Sequence, residues 1–202
     1  MSGLSQMLRR QINPLIAAGL SAVVLIGTLA VMIQSRAAIL RDGAEIVLRA
    51  GPVDPRDLLR GDYVSLRYDD VSTIDRALFS GAWPDRDRFA PLWLTLKPGE
   101  DGVAVVKAIT LEKPVPGEAG AVYMKSKPLM LYKQDATQAN AAPIALKFGI
   151  ERYYVPEGEG LEIEKARNEH RTTVAVRVSR NGEPQIARLM IDGATLYEEP
   201  LY

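Results

Sequence analysis

Cysteine is absent from the 202-residue sequence, histidine occurs once, and neither sign of charge is in excess. Without cysteine the chain forms no disulfide, no thiolate metal site and no cysteine nucleophile. Because His170 is the sole histidine, a histidine-rich metal site is excluded and a Ser-His-Asp triad has one possible base. The 25 basic and 25 acidic residues leave no basic excess for nucleic acid. We therefore expect no metal, no cofactor and no nucleic-acid partner.

Charge is also missing from a long apolar run near the N-terminus, residues 12–33, between Arg10 and Arg36. As a helix this run would span about 33 Å, which matches a hydrocarbon core of about 30 Å. Signal peptides have apolar regions of only about 7–15 residues, so the run favours an uncleaved transmembrane anchor that contacts the lipid bilayer.

Positive charges on the two sides of this run bear on its orientation. Arg9 and Arg10 precede it and predict a cytoplasmic N-terminus, although Arg36 and Arg41 follow it. With this orientation the helix crosses the membrane once, and the C-terminal part lies on the outer side.

Four segments follow from these patterns: a cytoplasmic arm at 1–11, a transmembrane helix at 12–33, a stalk at 34–43 and a soluble β-rich domain at 44–202. The soluble part shows short alternating runs and few helical ones. Two hairpins are predicted, one around Lys97–Gly102 and one around Asn181-Gly182, the second being a strong turn signal. The expected fold class is α+β, mostly antiparallel sheet, with one N-terminal transmembrane helix.

The segment Asp54–Tyr68 combines three local signals. Asp54-Pro55 predicts a capped helical turn, and Asp57 suits the positive end of that turn. Gly61 supplies a corner, and Asp62 accepts backbone N–H bonds there or pairs with Arg56 or Arg60. A regular strand from Tyr63 to Tyr68 follows, with Val64, Leu66 and Tyr68 on its buried face.

A second segment, Ile144–Val155, is predicted as one long strand before a short polar helix at Leu161–His170. Its alternation places Leu146, Phe148, Ile150 and Arg152 on one face. An arginine on a buried face would need an acid such as Asp62 or Glu151 as its partner.

The corner at Gly61-Asp62 resembles that of signal peptidases and related serine peptidases. In that family a nucleophilic serine lies about eight residues before the glycine. Val53 occupies that place here, Ser65 lies beyond the corner, and neither Lys97 nor Lys107 can be placed beside a nucleophile. The sequence therefore disfavours peptidase chemistry.

Acidic residues form two groups along the chain, one at Asp54, Asp57 and Asp62 and one from Glu151 to Glu164 that includes Glu157. Two converging carboxylates can perform acid–base chemistry or hold a divalent cation. Acids at a helix start more often stabilise its dipole in solvent, and no calcium-loop spacing is present. The sequence favours the second interpretation.

The run Gly61-Asp62-Tyr63-Val64-Ser65-Leu66-Arg67-Tyr68 fills every specified position of the GDYXXLXY family pattern. The blocks Asp54–Asp57, Phe148–Gly158 and Ile191–Tyr202 are also similar to that family. The resemblance implies a bacterial protein with an N-terminal membrane helix and a multi-pass membrane protein as its partner, and it assigns no catalytic residue. The candidate interaction residues are Asp54, Arg56, Asp57, Gly61, Asp62, Tyr63, Leu66, Tyr68, Glu151, Arg152, Tyr153 and Glu157.

The sequence thus favours a non-enzymatic accessory domain, anchored on the outer face of the inner membrane and working with a larger integral membrane protein. The alternatives are a membrane-tethered hydrolase that uses carboxylates such as Asp62 and Glu151, or a small-ligand or peptide sensor.

Overall fold

The computed structural model describes residues 13–53, 63–133 and 143–200. The chain divides into an N-terminal unit that ends at Ala38 and a folded unit that begins at Ile39. The predicted turn at 54–59 and the corner at Gly61 lie outside the described residues.

Helix α1, Pro14–Asp42, contains most of the apolar run and continues without a break through the predicted stalk. Its 29 residues have a mean hydropathy of 2.5 over the best window, which is long and apolar enough to cross a membrane. The Asn13 side chain accepts a bond from the Leu15 N–H at 3.0 Å and so caps the first turn. The Thr28 hydroxyl donates to the Val24 carbonyl at 2.8 Å, which satisfies a polar group that lipid could not.

The last turn of α1 belongs to the folded unit, where Arg177 binds its end. One guanidinium nitrogen donates to the carbonyls of Leu40 and Arg41. Helix-end carbonyls have no partner inside the helix and carry partial negative charge, so a cation stabilises them. Glu45 then pairs with both Arg177 and Arg188 and holds the two arginines in place.

The folded unit is an α+β structure in which all the paired strands run antiparallel. Its strands are β1 Ala44–Gly51, β2 Tyr63–Ser65, β3 Arg67–Tyr68, β4 Thr73–Ile74, β5 Arg88–Ala90, β6 Trp93–Pro98, β7 Ala104–Thr110, β8 Val122–Lys125, β9 Leu129–Leu131, β10 Ile144–Ala145, β11 Arg152–Tyr154, β12 Thr172–Val178, β13 Pro184–Ile191 and β14 Ala194–Glu198. A 3₁₀ turn spans Arg76–Leu78, and helix α2 spans Gly160–Asn168.

Two larger sheets enclose the core. One has the order β14-β13-β12-β1-β3 and the other the order β7-β6-β8, and β1 and β12 contact strands of the second sheet. Three two-stranded ribbons, β10–β4, β11–β2 and β5–β9, complete the unit. One continuous apolar cluster joins these parts, and its fully buried members include Leu48, Val64, Tyr68, Leu92, Leu94, Met124, Ile163 and Leu189.

Both predicted hairpins are confirmed, as β6–β7 and β12–β13. In the second, Gly182 has a φ of +79° and lies against the Trp93 ring. The close approach requires a residue without a side chain, and the positive φ favours glycine for a second reason. The Asn181-Gly182 turn thus ties one large sheet to the other.

Two strand predictions were wrong in the same way. The stretch from Tyr63 to Tyr68 is two short strands, because β2 pairs with β11 and β3 pairs with β1. The stretch Ile144–Val155 is also two short strands, separated by a loop in which Gly149 has a φ of +86°. In both cases the chain changes partner, so neither segment is one continuous strand, although the alternation of buried residues from Val64 to Tyr68 persists.

Helix α2 ends two residues earlier than predicted, at Asn168. Its end is a Schellman motif, in which the N–H of His170 donates to the Arg167 carbonyl and that of Arg171 donates to the Ala166 carbonyl. His170 occupies the position that glycine usually takes, with a φ of +57°.

Candidate functional site

The structure pairs the two segments that carry the sequence motifs. Strand β2, from the first segment, lies antiparallel to β11, from the second, with Tyr63 opposite Tyr154 and Ser65 opposite Arg152. The Leu66 N–H then donates to the Glu151 carbonyl at 2.8 Å. We call this pair of strands the motif ribbon, and the candidate site is built on it.

The inward side of the motif ribbon belongs to the core. Val64, Leu66 and Tyr68 are buried, as their alternation predicted. The Tyr68 hydroxyl donates to the Ile150 carbonyl at 2.6 Å and links the two motif segments a second time. Burial, with a smaller effect from Glu151, raises the pKa of Tyr68 well above its usual value, so this hydroxyl stays a neutral donor.

Tyr153 also points inward and is 7 % exposed. Its ring lies 6.0 Å from that of Tyr197, and its hydroxyl is close enough to Glu199 for that carboxylate to affect its pKa. Burial first, and Glu199 second, raise the pKa of Tyr153. Tyr153 is therefore a second internal tie.

The half-buried Glu151 closes the loop that precedes β11. Its carboxylate accepts hydrogen bonds from the N–H groups of Phe148 and Gly149, the second at 2.9 Å. These bonds hold the positive-φ turn at Gly149. Each carboxylate oxygen accepts one of these two bonds, so the side chain shapes its own loop.

Arg152 lies on the exposed side of β11, in contrast to the predicted buried face. The alternation changes phase after Ile150, so Leu146, Phe148 and Ile150 are buried while Arg152 faces solvent and Tyr153 is buried. Its guanidinium carbon lies 5.1 Å from the centre of the Tyr63 ring. A cation over an aromatic face is attracted by the negative charge of the π system.

Tyr63, Arg152 and Tyr154 together form an exposed cluster, which we call the motif face. The rings of Tyr63 and Tyr154 meet edge to face, with centres 6.0 Å apart. The side chain of Tyr154 is 72 % exposed, so its ring is placed by this contact and not by the core. Packing in the core explains the buried residues of the ribbon, but it does not explain the contacts among the residues of the motif face.

Arg167 on helix α2 supports the ribbon and was missed by the sequence reasoning. It is 4 % exposed, and it donates to the Ser65 carbonyl at the point where the chain leaves β2. Its other nitrogens donate to the Asn168 side chain, and burial lowers the pKa of Arg167 while Glu164 opposes that shift. The signal was the helical spacing of Ile163, Ala166 and Arg167, which places all three on the buried face.

A second group of charged side chains, which sequence reasoning also missed, surrounds β1. The Arg49 side chain pairs with Asp101 at 2.6 Å, and its backbone N–H donates to Asp70 at 2.9 Å. Burial raises the pKa of Asp70, as do Asp69 and Asp101, against the lowering effect of Arg49. Asp69 pairs with Nδ1 of His170 at 3.4 Å. Across the three described stretches, no set of three or more His, Asp or Glu side chains is arranged to hold a metal ion.

The remaining predicted residues divide into two groups. Glu157 is exposed in the turn before α2, and Glu151 lies in the loop before β11. Asp54, Arg56, Asp57, Gly61 and Asp62 lie outside the described residues. The structure thus brings together Tyr63, Leu66, Tyr68, Glu151, Arg152 and Tyr153, three of which are buried in the core.

Comparison with known proteins places the chain in a family. Searches of curated proteins and of solved structures gave no match. The family model described as "GDYXXLXY protein" matches residues 25–189, which include most of α1, the motif ribbon, helix α2 and the closing hairpin. This match covers most of the sequence, and the specified motif positions Gly61, Asp62, Tyr63, Leu66 and Tyr68 are all filled. The chain therefore belongs to the GDYXXLXY protein family.

Proposed function

We propose that this protein is a membrane-anchored, non-enzymatic accessory domain that binds a larger integral membrane protein through the motif face. The proposed setting is the outer face of a bacterial inner membrane, with the N-terminus in the cytoplasm. The N-terminal helix supports the anchored part, because it is long and apolar enough to cross a bilayer.

The observation that carries the proposal is that some side chains of the two motif segments are used inside the fold while others are exposed together at its surface. Leu66, Tyr68 and Tyr153 are used by the core, and Glu151 is used by its own loop. Tyr63, Arg152 and Tyr154 contact one another at the surface. Tyrosine and arginine are enriched among the residues that dominate binding energy at protein interfaces.

The carboxylate-based hydrolase is the competing proposal, and Glu151 weighs against it. A general base needs a carboxylate oxygen within reach of a substrate proton. Both oxygens of Glu151 already accept backbone N–H bonds. A binding role requires no such free group.

The test is a site-specific photo-crosslinking experiment on the full chain in its native membrane. A photoreactive phenylalanine analogue replaces Tyr154 in one variant and Val115, which is 88 % exposed on a loop, in the control. We expect one integral membrane protein to crosslink at position 154 and not at 115. Equal crosslinking at both positions, or recovery of this chain alone, would contradict the proposal.

Affinity purification in mild detergent measures how much the motif face contributes to binding of the partner. Since truncation of interface hot spots costs about 2 kcal/mol or more, Arg152→Ala with Tyr154→Ala should lower recovery of the crosslinked partner by a factor of about 30. Val115→Ala should leave recovery unchanged. Both variants alter exposed side chains, so equal melting temperatures would show that the loss is one of binding.

A further inference from the structure

A second exposed apolar surface lies on the ribbon formed by β5 and β9. Phe89 and Met130 are directly opposite each other across the two strands and are 67 % and 45 % exposed. Tyr132, two residues beyond Met130, is 46 % exposed. We call these three side chains the apolar ribbon face. It is separate from the motif face, which is carried by β2 and β11.

The packing of the ribbon keeps the apolar ribbon face exposed to solvent. On the other side of the ribbon, Ala90 and Leu131 are already buried in the core. The Trp83 indole N–H donates to the Tyr132 carbonyl at 2.9 Å, and Asp87 accepts the Lys133 N–H at 2.9 Å. Both bonds fix the end of the ribbon where β9 finishes, and beyond the other end the Ser126 N–H donates to the Leu92 carbonyl at 2.8 Å. Phe89 and Met130 therefore stay exposed at a cost that a partner surface would offset.

Exposed basic side chains flank the two strands of this face. Arg86 precedes β5 and Lys133 follows β9, and both are exposed, as are Asp85 and Asp87. One oxygen of Asp87 accepts the Lys133 N–H. Arg88 is directly opposite Leu131 and so lies on the other side of the ribbon. Long arginine and lysine side chains can reach phosphate groups while their stems cover apolar surface.

We propose that the apolar ribbon face inserts into the headgroup region of the lipid bilayer, with the flanking Arg86 and Lys133 on anionic lipid phosphates. Exposed aromatic and apolar side chains with basic residues beside them are a composition that lies at membrane interfaces. The same chain carries a helix of membrane-crossing length, and Gly43 alone separates that helix from β1. A bilayer is thus present at high effective concentration wherever the protein is anchored.

The absence of cysteine makes the test direct, because one introduced cysteine takes a dye at one known place. Phe89→Cys, Met130→Cys and the control Val115→Cys each carry an environment-sensitive fluorophore on the full chain. Each is reconstituted into vesicles of phosphatidylcholine with phosphatidylglycerol, with and without nitroxide-labelled lipid. In the Phe89 and Met130 variants the other apolar side chains of the face remain.

At positions 89 and 130 we expect emission at shorter wavelength than at 115, and strong quenching by the nitroxide lipid. Since one basic residue near an anionic surface contributes about 1 kcal/mol, Lys133→Gln should lower the insertion equilibrium constant about fivefold. Equal quenching at 89, 130 and 115 would overturn the proposal, because it would leave this face to a protein partner. These vesicles contain no partner protein, so the outcome is independent of the motif-face experiment.

Discussion

Tyr68 shows at the scale of one residue how a sequence motif becomes a structural tie. It is the last specified position of the family pattern, and it is fully buried. Its hydroxyl reaches the Ile150 carbonyl in the other motif segment, 82 residues away in sequence. The hydroxyl thus satisfies a buried carbonyl and fixes the spacing of the two segments.

We predict that Tyr68→Phe lowers the free energy of unfolding by about 1–3 kcal/mol, because it leaves the Ile150 carbonyl buried without this donor. Urea unfolding followed by circular dichroism measures the change. Tyr132→Phe is the matched control, since Tyr132 is exposed and the substitution removes the same atom. Equal stability of the two variants would mean that the Tyr68 bond contributes nothing net.

The pH dependence of stability provides a second measurement on the same residue. The pKa of Tyr68 is raised on folding, chiefly by burial, so the folded state favours its neutral form. The resulting stabilisation is complete below the unfolded tyrosine pKa of about 10 and is lost as pH rises above it. Tyr68→Phe should therefore reduce the alkaline fall in stability, and Tyr153, whose pKa is also raised, should account for part of what remains.

At the scale of elements, the turn of the β12–β13 hairpin joins its own two strands and also contacts the second large sheet. Gly182 and Gly193 both occupy turn positions, with φ of +79° and +80°. A Cβ on Gly182 would lie 2.4 Å from the Trp93 ring and 2.8 Å from the Lys125 side chain, whereas one on Gly193 would meet nothing within 4 Å. A substitution of Gly193 therefore tests backbone strain alone, whereas a substitution of Gly182 tests backbone strain together with steric conflict.

We predict that Gly193→Ala costs about 1–2 kcal/mol from the left-handed backbone alone. Gly182→Ala should cost about 1–3 kcal/mol more, because it also forces the turn away from Trp93. Thermal unfolding of the two variants beside the parent protein gives the difference. If the two variants melt at the same temperature, the Trp93 ring accommodates the added methyl group without cost. The contact between Gly182 and Trp93 would then not stabilise the packing of the two sheets.

For the whole molecule, one apolar cluster joins both large sheets and the inner side of the motif ribbon. The N-terminal unit is different in kind, since the side chains of α1 from Leu15 to Ile33 are exposed and apolar. Exposed apolar side chains along a helix of this length are what a bilayer would solvate. The folded unit supplies its own core, whereas α1 is long and apolar enough to cross a membrane.

We predict that the full chain stays in the membrane pellet after extraction with alkaline carbonate and leaves it only with detergent. An uncleaved spanning helix resists carbonate, which removes proteins bound by surface charge. Immunoblotting of both fractions, with the apparent mass compared with the 22.2 kDa of the full sequence, provides the measurement. A shortened, carbonate-soluble product would show that the helix is a cleaved signal peptide.

Local chemistry determined what could be recognised from the sequence alone. The length and hydropathy of α1, the Asn181-Gly182 turn and the alternation of Val64, Leu66 and Tyr68 all depend on neighbours in the chain. The family pattern is equally local, because its specified positions lie within eight residues. These signals were sufficient for the fold class and for the inward half of the site.

Only the tertiary structure decided which segments meet and which way their side chains point. The change of partner after Ser65, the outward turn of Arg152 and the buried contact of Arg167 with the Ser65 carbonyl depend on residues about 85 to 100 positions away. The burial alternation from Val64 to Tyr68 persists through the change of partner after Ser65, whereas that of the other segment changes phase between Ile150 and Tyr153. The motif face of Tyr63, Arg152 and Tyr154 thus exists because two distant segments pair, and no pattern within either segment contains it.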